Sequence, residues 1–165
     1  CPAYSQGKQS PRANQRDIRR LAMQVMYQID MRGQVDDDAI ASMMDGGPDT
    51  PDVQHEAEAL ARAAWGRRAA AAAAIAELTP DWPTHRQPPV DRAILRLAYH
   101  EIVTGRTPAK VAINEAVELA KQFCAQPSAP FINGVLDKLA KRIDAPAPVA
   151  KPNADAWLDD AIDQG

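Results

Sequence analysis

The sequence predicts an all-α fold, and three observations carry that expectation. Apolar residues recur at the i, i+3, i+4, i+7 spacing of a buried helical face in several separate stretches. No segment sustains the alternation of a half-buried strand. Alanines are abundant while aromatics make up only 5% of the chain, so the core should be aliphatic and closely packed. At 165 residues the chain suits one compact bundle of about six to seven helices, in two packed halves around a shared core.

Ser10-Pro11 makes a good first helix start, with Ser10 as N-cap and Pro11 where its missing N–H costs nothing. Ile18, Leu21, Ala22, Val25, Met26 and Ile29 then form one apolar face, and Gly33 can end the helix in a left-handed conformation. Residues 36–51 suggest a short helix followed by a Gly-Gly-Pro loop. From Val53 to Leu78 the pattern predicts one long helix, including the alanine run Ala69–Ala74 between the larger anchors Leu60, Trp65, Ile75 and Leu78. Thr79-Pro80-Asp81-Trp82-Pro83 and Pro88-Pro89 break the chain. Further helices are expected at Val90–Thr104, Lys110–Phe123 and Phe131–Ile143, with Gly105, Pro127 and Pro130 as punctuation. Within the last, Gly134 should allow another backbone to approach closely. The domain reading is therefore a flexible N-terminus over residues 1–9, a helical domain over 10–143, and a Pro/Ala-rich, acidic, disordered tail over 144–165. In that tail Trp157, Leu158, Ala161 and Ile162 share helical spacing, enough to fold back over a basic surface, though a solubilising end is the simpler expectation.

A net charge of −3 conceals strong segregation. Lys8, Arg12, Arg16, Arg19 and Arg20 cluster near the start against Asp17 alone, whereas residues 36–58 hold eight acids and neither Lys nor Arg. An acidic total thus leaves room for a nucleic-acid surface, because an RNA meets the local field. At about 100° per residue, Arg12, Arg16, Arg19 and Arg20 fall broadly opposite the Ile18–Ile29 face, together with Met23 and Tyr27. Guanidinium groups pair phosphate oxygens through their planar fork, and a tyrosine ring can stack a base.

Other chemistry finds little support. Cys1 and Cys124 lack a CxxC or Cys/His pattern, which fits a reduced, cytoplasmic setting with Cys124 as a small helix-end hydrophobe. His55, His85 and His100 are scattered, so no metal or other cofactor is expected. No apolar run reaches membrane length and no signal-peptide pattern shows, although a chain starting at Cys1 need not display its true N-terminus. Glu115 and Glu118 lack a neighbouring His or a phosphate-binding glycine loop, so no catalytic residues are expected. Asn114 and Glu115 should bond neighbouring helix ends, and Glu118 should pair with Lys121 one turn on.

Val90–Glu101 (VDRAILRLAYHE) and Ala112–Lys138 (AINEAVELAKQFCAQPSAPFINGVLDK), with RRLAMQVMYQID near the start, resemble the NusB family of transcription antitermination factors. The resemblance spans roughly Arg12 to Leu139 and is weakest over residues 34–54. It implies a non-enzymatic factor that binds boxA-type RNA of nascent ribosomal RNA transcripts. Its partners would be the ribosomal protein NusE and the RNA polymerase antitermination complex. The RNA-binding residues it implies are Arg12, Arg16, Arg19, Arg20 and Tyr27 on the first helix, plus Phe131 beside the RNA path. Gln15 and Asp17 thin the family's basic run, and Pro127 and Pro130 stand where donors are common. Relatives differ in oligomeric state, and a homodimer would hide the arginine stripe. Two other readings remain: the RNA-guiding domain of a truncated ribosomal RNA methyltransferase, or a helical adaptor that binds only proteins. The first needs a βαβ unit with a glycine-rich loop, which this sequence does not contain.

Overall fold

The computed structural model describes the backbone of residues 11–144 and the side chains of residues 14–143. Ser10 and the tail beyond Asp144, including its Trp157–Ile162 segment, lie outside the described residues. Within them the chain is all-α: α1 (Pro11–Arg32), α2 (Asp37–Met44), α3 (Pro51–Gly66), α4 (Arg68–Leu78), α5 (Pro89–Val103), α6 (Ala109–Phe123) and α7 (Ser128–Asp144). A single 3-10 turn at Thr84–Arg86 interrupts the linker between α4 and α5.

Local chemistry sets most of the boundaries. Gly33 closes α1 at φ +76°, donating its N–H to the carbonyls of Ile29 and Asp30. Asp36 caps α2 by accepting from the Ala39 amide at 3.1 Å. Thr50 caps α3 in the same way through Val53, with Pro51 in the first turn. Pro108 precedes α6, which starts at Ala109 rather than Lys110. The last helix opens earlier than its prolines suggest. It begins at Ser128, and Pro130 is tolerated because first-turn amides have no intrahelical acceptor.

The expected long helix from Val53 to Leu78 is instead two. Gly66 ends α3, and Arg67 (φ −97°, ψ 8°) turns the chain before α4 begins. The break redirects the alanine run: α3 packs along α1, whereas α4 packs against α5 and α7 and buries Ala71 and Ile75 there. A continuous helix would have carried those two residues past the core.

α5 sits at the centre, packed against α1, α3, α4, α6 and α7. Its Ile94, Leu95, Leu97 and Ala98 meet Met23, Met26 and Ile29 of α1 and Ile132 and Leu136 of α7 in one continuous aliphatic core. Gly134 does not serve a close approach, because a Cβ added there would meet nothing within 4 Å. The α4–α5 linker is held by Trp82, whose ring packs edge-on against Phe131 at 4.1 Å between centroids. Gln87 reinforces it, donating to the Trp82 carbonyl at 3.3 Å.

Candidate nucleic-acid interface

The N-terminal half of α1 lies beside α6, and the two helices wall a groove. Arg16, Asp17, Arg19 and Arg20 line it from α1; Glu115, Glu118, Leu119, Lys121 and Gln122 line it from α6. It continues outward past Gln15, Val111, Asn114 and Val117, then over Arg106, Thr107 and Pro108 of the α5–α6 loop.

The arginines expected on one solvated stripe divide into three environments. Arg16 is open, its side chain 65% exposed, and its Nε lies 3.2 Å from Oε2 of Glu115. Arg20 is 26% exposed; its Nη2 sits 2.5 Å from Asp49 and 3.6 Å from Asp17, and its Nη1 donates to Gln24 at 3.5 Å. Arg19 corrects the expectation, because it is buried. Its Nε donates to both carboxylate oxygens of Glu101, at 3.0 and 3.1 Å, and its Nη2 donates to Thr107 at 3.2 Å. Met23, expected on the same stripe, is also buried. The cause is the width of the covered arc: α1 is wedged between α3 and α5, so positions 19, 23 and 26 face one neighbour while Leu21 and Val25 remain covered as well.

Arg12 lies one turn before Arg16 on α1, and its side chain falls outside the described ones. Tyr27 is half-buried nearly two turns beyond Arg20 and does not line the groove. Phe131, at the start of α7, is also half-buried and packs on Trp82 rather than into the groove. The α1–α6 groove thus unites Arg16 and Arg20, with Arg19 as a fixed strut behind them.

The second wall was not evident from the sequence. Glu115 reaches across to Arg16 instead of bonding a helix end. Glu118 does pair with Lys121, at 3.3 Å. Asn114, Glu118 and Lys121 follow one another at i, i+4, i+7, a polar stripe that only the position of α1 turns into a groove wall. Arg106 adds a cation at the mouth, donating to Gln15 at 3.4 Å.

These groups do not assemble into a reaction centre. Both groove glutamates are engaged by cations. Burial and the neighbouring Asp91 push the Cys124 thiol up to about 12, so it stays protonated and unreactive near neutral pH. Among the described residues no group of three or more His, Cys, Asp or Glu is placed to hold a metal ion. No described helix is long and apolar enough to cross a membrane.

Residues 16–141 match the NusB family. A transcription antitermination protein NusB from Anaeromyxobacter dehalogenans is 40% identical over 123 residues, covering 74% of this chain and 87% of that protein. The chain belongs to the NusB family. NusB of T. maritima has the same fold, at TM-score 0.68 and 28% identity over 76% of this chain and 89% of its own. A structure of the antitermination factors NusB and NusE in complex with dsRNA matches at TM-score 0.69 and 21% identity, covering 79% of this chain and 98% of that one. The matched NusB span begins at the first groove arginine and ends in the last turns of α7, so it contains both walls of the groove.

Proposed function

We propose that the protein is an RNA-binding transcription antitermination factor that takes up boxA-type RNA of nascent ribosomal RNA transcripts together with NusE, within the RNA polymerase antitermination complex. The observation that carries this reading is the α1–α6 groove, where Arg16 and Arg20 meet Lys121 inside the span shared with NusB relatives named for antitermination. A solved structure of similar fold holds NusB with NusE and dsRNA, which supports the choice of partners. Arg16 and Arg20 would contact phosphates, with Arg12 extending the same face by one turn. Tyr27 and Phe131, each half-buried, would offer stacking surfaces outside the groove. Arg19 would act indirectly, fixing α1 against α5. The role is non-enzymatic, since binding and positioning suffice for it, and cytoplasmic, since it acts on transcripts as they are made.

The deciding experiment is binding of a boxA-type RNA oligonucleotide with and without NusE across a salt series. Tighter binding with NusE and a negative slope of log affinity on log salt are expected. A protein that bound NusE but no RNA at any ionic strength would be an adaptor instead.

A further inference from the structure

The groove that should meet a polyanion is largely self-neutralised. Arg16 is matched by Glu115, and Arg20 faces both Asp49 and Asp17. Asp49 stands apart from the other acids in where it comes from. It belongs to the loop between α2 and α3, after Gly46 at φ +70°, and it crosses 29 positions of sequence to reach α1. Its side chain is only 10% exposed. Gln54 clasps the loop from α3, donating its side-chain amide to the carbonyls of Met44 at 3.0 Å and Asp49 at 3.1 Å. The carboxylate is therefore held in position, and it takes the Nη2 edge with which Arg20 would grip a phosphate.

We propose that Asp49 is a built-in competitor that sets the RNA affinity of the groove by occupying Arg20 in the free protein. The inference rests on the RNA-binding reading above. A phosphate arriving at Arg20 must draw the guanidinium away from a carboxylate that cannot follow it. It also meets the repulsion of that carboxylate, which is strongest at low salt. RNA that also gains contacts at Arg16 and from a protein partner crosses this threshold more readily than a chance polyanion. Asp49 thus sets the strength with which the groove binds any polyanion that needs Arg20.

The test uses the full chain, a single-stranded boxA-type RNA oligonucleotide and a salt series. Asp49→Asn keeps the shape of the side chain and removes its charge; Arg20→Ala removes the proposed contact; Glu56→Gln neutralises an exposed acid elsewhere on α3. Asp49→Asn should bind RNA about 3- to 10-fold tighter, with a steeper salt dependence, and Glu56→Gln should change affinity far less. Gln54→Ala, which unclasps the loop, should shift affinity in the same direction and serves if Asp49→Asn fails to fold. If Arg20→Ala weakens binding but neither Asp49→Asn nor Gln54→Ala strengthens it, the competitor is refuted while the RNA-binding reading stands. An equal gain from Glu56→Gln would also refute it, as a general charge effect. If Arg20→Ala leaves RNA binding unchanged, the groove reading itself fails.

Discussion

Arg19 and Glu101 form an ion pair across 82 positions of sequence, with the single Nε–H shared between the two carboxylate oxygens at 3.0 and 3.1 Å and both side chains almost wholly buried. The pair joins α1 to α5 directly beneath the groove, and Thr107 satisfies a further guanidinium proton.

Breaking that pair from one side should be costly. Glu101→Ala leaves a buried, uncompensated guanidinium and should destabilise the protein by about 3–5 kcal/mol. The double change Arg19→Met, Glu101→Leu removes both charges and should recover much of that loss. Denaturant titration of Arg19→Met, Glu101→Leu and the double variant measures the coupling. A cycle that gave simple additivity would contradict the pairing.

Arg16 and Arg20 should behave differently from Arg19. Arg16→Ala should leave helix content and melting temperature nearly intact, whereas Arg20→Ala, which leaves the nearly buried Asp49 carboxylate without its partner, should keep the helices but lower the melting temperature. RNA binding should weaken, and the slope against salt should flatten by about 0.7 for each phosphate of a single-stranded RNA that is no longer neutralised by an arginine. Arg19→Ala should instead show its main effect as reduced stability. Binding isotherms at several salt concentrations beside thermal melts separate the two patterns.

Phe131 is expected to serve both the core and the RNA surface. Its edge-on packing with Trp82 is worth about 0.5–1.5 kcal/mol beyond burial, so Phe131→Leu should lower the melting temperature. Removing the aromatic ring should also weaken RNA binding. A clear drop in stability with unchanged RNA affinity would assign Phe131 to the core alone.

His100 should make stability depend on pH. Burial lowers its pKa below the ordinary value of 6.5, and the charges of Arg67 and Arg106 push the same way against the opposing pull of Glu101. The unfolded chain therefore binds the proton more readily than the folded one. The stabilisation is complete above the unfolded value and is lost as pH falls through the depressed folded value. Melting temperature should decline as pH drops from about 7 to about 5, and His100→Gln should flatten that decline. A variant with the same pH profile as the parent would show that other groups govern it.

Most of the helices were legible because burial writes itself into sequence as a 3.6-residue period. Ile94, Leu97 and Ala98 on α5, and Ile132, Val135, Leu136 and Leu139 on α7, are buried as their spacing indicates. The α3–α4 break was not legible, since helix propensity runs unbroken through the alanines and says nothing about direction; Gly66 was the available hint. Arg19 was misplaced because a charged residue beside an apolar face looks solvated until its partner is known. That partner, Glu101, sits in another helix. For the same reason one wall of the groove, Arg16 and Arg20, could be read from local pattern, whereas Glu115 and Asp49 emerged only from tertiary placement.

The position of α5 bears on how the molecule comes apart. Because α1, α3, α4, α6 and α7 all lean on it, neither half retains a closed core once α5 is displaced. Partial opening should therefore be confined to the periphery, such as the short α2. The amides of Ile94, Leu95 and Leu97 should exchange with solvent deuterium only through global unfolding. The two halves are then a matter of layout, and cooperativity belongs to the whole bundle.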